Sequence, residues 1–219
     1  AHGVRLNGDA ALGDAQTTLA EQLKADGYRT GAFVGAFVLD GRWGLKQGFD
    51  HYDDQFQLGP DQRLDLAKVQ RPANTVVDAA LKWLDEDRSK PFFAWLHFYD
   101  AHTPYEPPPP FSGYDGEISF ADSQVGRVLQ WLKEKSLDKN TVVVITADHG
   151  EGLGSHGESE HGYYIYDYAV RVPLIVRVPS AKPARIGAQV RTIDIFPTVL
   201  DLVERGRSRP RQIEGQSLL

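Results

Sequence analysis

The chain has 219 residues, with 24 Lys and Arg against 30 Asp and Glu for a net charge of −6, and it is 41% hydrophobic and 25% charged. Such proportions describe a globular domain with one core. Without a basic run interleaved with aromatics they disfavour nucleic acid as a partner, and no apolar stretch nears the roughly 20 residues of a membrane helix. The absence of Cys excludes disulfides and a thiol nucleophile within these residues and leaves the compartment open. Met is absent as well and the chain opens on Ala1-His2-Gly3, so the expectation is an internal piece of a longer protein.

Leu19 and Leu23, four apart, predict a helix over 17–25, capped by Thr17 or Thr18 and stopped by Gly27. Residues 28–34 are a short strand, and 42–54 a Gly-rich aromatic loop ending in acidic residues. Pro72 opens a second helix to about 87, with Val76, Val77, Ala80, Leu81 and Leu84 on one side. The continuous apolar run 92–98 reads as a strand buried on both faces. Five prolines make 101–113 an extended loop. Ile118, Ala121, Val125, Val128, Leu129 and Leu132 place a third helix over 118–132. Strands are expected at 141–147 and 172–178, a last helix at 193–203 with Pro197 near its start, and no element in the polar tail 204–216. Helices alternating with buried strands give an α/β class, a doubly wound, mostly parallel sheet flanked by helices in one domain over 1–219.

The chemistry concentrates after the strand at 141–147. Asp148, His149, Glu151, His156, Glu158, Glu160 and His161 supply four carboxylates and three imidazoles within 14 residues, and five glycines from Gly150 to Gly162 let the backbone turn tightly among them. The C-terminal edge of a parallel strand is where open α/β sheets place ligands. Carboxylate oxygen and imidazole nitrogen, adjacent in Asp148-His149, suit a divalent cation. A solvated loop could share this composition, but the density of the cluster favours a site. His102 lies past the strand at 92–98, so its loop is expected to share that cleft, where it could donate to an anionic oxygen or a leaving group.

The remaining candidates read as structural. His97, inside an apolar strand, is expected to be a satisfied core histidine, and His51 a solvated one. Asp100 orients a neighbouring His or caps a turn. Arg171 contacts an anion or pairs with Asp167. Trp83 and Trp131 are packing residues. No Gly-x-Ser-x-Gly elbow, phosphate-cradling loop or dinucleotide fingerprint occurs in strand–turn–helix context.

Seven short motifs stand in order: His2-Gly-Val-Arg5, the stretch 18–28, Gln47-Gly-Phe-Asp50, His102-Thr-Pro-Tyr105, Asp148-His-Gly-Glu151 with Leu153-Gly-Ser-His-Gly157, His161-Gly162, and Arg171-Val-Pro-Leu174. Together they resemble the sulfatases of the alkaline phosphatase superfamily over nearly the whole chain. The resemblance implies an alkaline phosphatase-like fold, incomplete here, and a metal-dependent hydrolase of small anionic sulfate or phosphate esters. It implies Asp148 and His149 as metal ligands, and His102 and His161 as catalytic contacts to substrate. It implies Ca²⁺ for a true sulfatase, or Mn²⁺ or Zn²⁺ for a phosphodiesterase or phosphonate-ester hydrolase on the same scaffold. The family's nucleophile and first strand precede the His-Gly-Val-Arg element, so these residues alone are expected to be inactive, with an open sheet edge that favours a homodimer. Val34-Gly-Ala-Phe37 stands where many members carry Gly-Lys-Trp-His. A non-catalytic binding module derived from the same scaffold is the alternative from another class.

Overall fold

The computed structural model describes residues 4, 10–56, 69–179, 181–203 and 213–219, so most of the His-Gly-Val-Arg element lies outside the described residues. Two compact units, residues 1–131 and 132–219, are taken in turn.

In the first unit, α1 (Leu19–Ala25) begins at a reciprocal capping box: Glu21 N–H donates to Thr18 Oγ1 at 3.1 Å and Thr18 N–H to the Glu21 carboxylate at 2.8 Å. Gln47 reaches that same end, its Nε2 2.9 Å from Glu21 Oε2, while Thr18 Oγ1 donates to Gln47 O. Asp50 then accepts from Thr30 N–H, and Phe49 stacks on Phe93 and Trp95. The Gln-Gly-Phe-Asp motif is thus a clasp that joins α1 to the sheet.

That sheet is wholly parallel, in the order β2 (His51–Asp53), β1 (Arg29–Val34), β3 (Phe92–His97), with Arg29 opposite Phe92 and Gly31 opposite His51. β1 is central, and Thr30, Ala32, Phe33 and Val34 are fully buried. The amphipathic helix α2 (Ala73–Glu86) lays Val76, Val77, Ala80, Trp83 and Leu84 against β1 and β3, and α1 packs on β1. Each such aliphatic side chain contributes about 1.5–3 kcal/mol of burial. The class is the expected one, α/β with a parallel sheet flanked by helices.

Three details of this unit differ from the sequence reading. The acidic end of the loop 42–54 pairs as β2, a strand too short to show a period. β3 is half-buried along its length, because it forms the edge of this three-stranded ladder. On α3 (Gly113–Glu134), Ile118 and Leu129 are 45% and 36% exposed, while Glu117, Phe120, Gln124 and Trp131 are buried. The buried stripe follows helical spacing but admits two polar residues, which an apolar count passes over. A buried ion pair, Arg71 Nη2 to Asp53 Oδ2 at 2.9 Å, ties the chain before α2 to β2, and Arg71 Nη1 also donates to Asp53 O at 3.0 Å.

In the second unit, β4 (Val143–Thr146) pairs antiparallel with β5 (Leu174–Arg177), Val143 opposite Arg177 and Thr146 opposite Leu174. Both strands were expected, but β4 was expected in a parallel setting, fully buried; its partner among the described residues is antiparallel and its residues are half-buried to exposed. The connection between them carries the acidic, histidine-rich segment and the short α4 (Asp167–Val170). α5 (Ile195–Val203) follows a single 3-10 turn at Thr192–Asp194. Asp194 gathers Arg191 and the Gln216 N–H, and Thr198 Oγ1 accepts Leu218 N–H, which docks 213–219 on α5. No helix of the described residues is long and apolar enough to cross a membrane.

Candidate active site

The segment after β4 folds back on itself. Gly150 N–H donates to Ala169 O, Gly152 N–H to Glu160 O and Gly154 N–H to Glu158 O, each at 2.8 Å. A Cβ at Gly150 would lie 1.9 Å from Tyr168 O, and one at Gly152 2.4 Å from Glu160 O. Only glycine permits that approach, so the Gly-x-Gly spacing of the sequence is what lets the histidines of the two arms meet.

They meet as a stack. The rings of His149 and His161 lie 4.0 Å apart at 28°. His149 Nδ1 donates to Gly150 O at 2.9 Å, which leaves the Nε2 lone pair facing Asp148, whose Oδ2 is 3.6 Å away. Asp148 Oδ1 accepts His149 N–H at 2.9 Å, and the carboxylate as a whole is 78% exposed. His161 Nδ1 donates to Glu151, 3.2 Å from Oε2, and that carboxylate is only 4% exposed. A buried carboxylate behind an imidazole fixes its tautomer and ring plane. Asp148, His149, His161 and Glu151 therefore form one cluster.

A second buried carboxylate shapes the rim. Glu158 accepts Tyr163 N–H at 2.8 Å, Tyr164 N–H at 3.4 Å and the Tyr168 hydroxyl. The Tyr168 hydroxyl and these N–H groups hold Glu158 below the usual carboxylate range, while burial and then Glu158 itself push Tyr168 up to about 12. A shallow cleft of about 350 Å³ lies here, lined by Gly157–Glu160, Tyr163 and Tyr164. His156, with φ of 53°, stacks on Tyr166 at 4.1 Å and belongs to this rim. Arg171 meets Asp167 through its backbone N–H at 2.9 Å, and the expected side-chain pair is not among the ion pairs of the described residues.

His102 belongs to the first unit. Its ring stacks on Tyr99 at 4.2 Å, its Nδ1 donates to Thr103 O at 2.8 Å, and its Nε2 lies 3.0 Å from the Tyr99 hydroxyl. Asp100 caps α2, accepting Ala73 N–H at 2.8 Å, and burial raises its carboxyl to about 6. Of its two sequence roles, capping is the one the geometry supports. Glu117 accepts Ala101 N–H at 2.6 Å and Glu106 N–H at 2.9 Å, and burial raises it as well. His97 is half-buried beside Trp95 and Tyr99, and His51 is exposed against Phe33. Sequence reasoning missed Glu117 altogether, since a Glu amid helical polar residues carries no local signal.

Asp148 and His149 offer a divalent cation one hard oxygen and one imidazole nitrogen whose other ring nitrogen is already held by a carbonyl, which is how protein ligands for such ions are oriented. The fit is partial. Among the described residues no group of three or more His, Cys, Asp or Glu is so arranged that it could hold a metal ion.

A family model described as Sulfatase matches residues 2–204. Steryl-sulfatase of Mus musculus is 34% identical over 181 residues, covering 71% of this chain and 29% of that protein. Iduronate 2-sulfatase of Homo sapiens is 37% identical over 108 residues, covering 48% of this chain and 20% of that protein. Among solved structures, the phosphonate monoester hydrolase SpPMH from Silicibacter pomeroyi has a TM-score of 0.77 over 97% of this chain and 62% of its own, at 22% identity, a likeness of fold. The chain spans less than a third of the length of these two curated relatives. Matched by the family model over almost its entire length, the chain belongs to the sulfatase family.

Proposed function

We propose that this chain carries part of the active site of a metal-dependent sulfuric ester hydrolase. The observation that supports it is the joined cluster Asp148, His149, His161 and Glu151 at the end of β4. Asp148 and His149 would hold the cation, proposed as Ca²⁺, and other donors would complete its shell. When bound, the cation supplies positive charge against the developing charge of the transferred group. His161, fixed by Glu151, would direct Nε2 at a sulfuryl oxygen. His102 donates from Nδ1 to Thr103 O and its Nε2 accepts from the Tyr99 hydroxyl, so to hand a proton to a leaving-group oxygen it would act as imidazolium with Nε2 turned from Tyr99 to the substrate. The substrate class is a small anionic ester.

A second reading is a phosphodiester or phosphonate-ester hydrolase using Mn²⁺ or Zn²⁺. The imidazole of His149 beside Asp148 favours it, because imidazole suits those ions better than Ca²⁺. The test uses the full-length protein and its Asp148→Ala variant, with p-nitrophenyl sulfate against bis-p-nitrophenyl phosphate and Ca²⁺, Mn²⁺ and Zn²⁺ in turn. Sulfate turnover that needs Ca²⁺ and falls at least about 100-fold in Asp148→Ala is expected. Diester turnover with Mn²⁺ or Zn²⁺ would establish the second reading. Silence on both esters would overturn the two together.

A further inference from the structure

The loop that carries His102 is held from outside itself. Glu117, on the second turn of α3, is buried, and its two carboxylate oxygens split between the ends of the loop: Oε2 takes Ala101 N–H at 2.6 Å and Oε1 takes Glu106 N–H at 2.9 Å. A loop of this length normally satisfies its N–H groups with its own side chains or with water. Here one acceptor, 11 and 16 residues away in sequence, takes two of them. Ala101 sits at φ of 80°, a conformation that a residue with a Cβ keeps only where its surroundings over-determine it. The His102 ring then has its plane fixed by Tyr99 and its tautomer by Thr103 O, both within three residues of it and on the backbone that Glu117 holds.

We infer that Glu117 is a positioning residue for His102, setting the loop backbone and through it the direction of the imidazole Nε2. The inference rests on the reading of His102 as the group that faces the leaving oxygen. Glutamine has the same shape but offers one acceptor oxygen and an NH₂ in place of the other, so one loop N–H is left facing a donor. Displacement of a catalytic group by about 1 Å costs on the order of 100-fold in rate.

The experiment is a double-mutant cycle in the full-length protein, with ¹⁵N resonances of the His102 ring recorded alongside. Glu117→Gln is expected to lower kcat by about 10- to 100-fold with KM changed less than about threefold. In the His102→Ala background the same substitution should cost less than about twofold. The ring resonances of His102 should shift in Glu117→Gln. An equal cost in both backgrounds, or unchanged ring resonances, would overturn the inference. Full turnover by His102→Ala alone would remove His102 from the chemistry, and the ring resonances would still decide whether Glu117 sets the imidazole. If Glu117→Gln does not accumulate folded, Glu117→Asp, which keeps the charge and withdraws it by one methylene, takes its place.

Discussion

Gly150 shows how much of the site depends on single atoms. It lies between Asp148-His149 and Glu151, and its N–H donates to Ala169 O at 2.8 Å. A methyl group there would sit 1.9 Å from Tyr168 O, which is backbone and cannot rotate away. Relief requires the segment after β4 to part from α4, which moves His149 off the His161 ring. Overpacking of this kind costs about 1–3 kcal/mol. Gly150→Ala is therefore expected to lower the urea midpoint and to reduce ester turnover of the full-length protein by at least about tenfold. Normal turnover at reduced stability would mean that the stack of imidazoles is not what the chemistry uses. Glu158 makes the complementary point. Its burial is tolerable because two backbone N–H groups and a tyrosine hydroxyl satisfy it, and without them the same carboxylate would be expected in water.

Among the elements, α1 is the one whose sequence and structure agree most closely. The sequence left the cap between Thr17 and Thr18, and the structure places it at Thr18 with both hydrogen bonds of a capping box to Glu21. Thr18→Ala removes the acceptor for Glu21 N–H and the donor to Gln47 O together. A destabilisation of about 1–2 kcal/mol is expected from equilibrium urea unfolding, at the upper end of the usual cap value because the Gln47 link goes with it. A loss within experimental error of zero would show that Gln47 alone secures this end. Elements with a strong local signal were legible in this way: α2 by its apolar stripe, β1 and β4 by branched runs, and α5 with its proline at an early turn. β2 was not, since three residues cannot show a period and its stability comes from pairing with β1. The buried face of α3 was misjudged at Ile118 and Leu129 because Glu117 and Gln124 occupy the stripe. The same reason hid Glu117, the residue of α3 that accepts two backbone N–H groups of the His102 loop. Asp148, His149 and His161 were legible as a group because carboxylates and imidazoles crowd the run after β4, and the structure brings these three side chains together. Glu151 and Glu158 stood in the same dense run, but their separate roles are decided by burial, which spacing does not encode.

At the scale of the whole molecule, the shifted carboxyls divide by their effect on pH dependence. Asp50, Asp87, Glu158 and Asp194 are all lowered, chiefly by hydrogen bonds from Lys24, Ser89, Tyr168 and Arg191 respectively, with Asp194 at about 2. A lowered carboxyl contributes stability that is present above its unfolded value, near 4, and lost as pH falls through the folded one. These four therefore make stability depend on pH only below about pH 4, where their contribution is lost. Asp100, raised to about 6 by burial, and Glu117, raised by burial, both lie in the first unit and act the other way. Between the unfolded and the folded value, the folded state binds more protons than the unfolded one, so the contribution of these two is greatest below about pH 4 and declines as pH rises toward the folded values. Glu117 lies close enough to raise Asp100 as well, so the contribution of Asp100 is read by difference against Asp100→Asn. The asparagine keeps an oxygen for Ala73 N–H and cannot ionise. The unfolding free energy of wild type minus that of the variant should fall between pH 4 and pH 7, by on the order of 1 kcal/mol after solvent screening of a half-buried group. Hydrogen exchange at the Ala73 and Ala101 amides, corrected for intrinsic rates, should show the same pH-dependent difference, while the Gln216 amide on Asp194 shows none in that range. A difference that stays flat from pH 4 to 7 would mean that Asp100 is no more buried in solution than an ordinary helix cap.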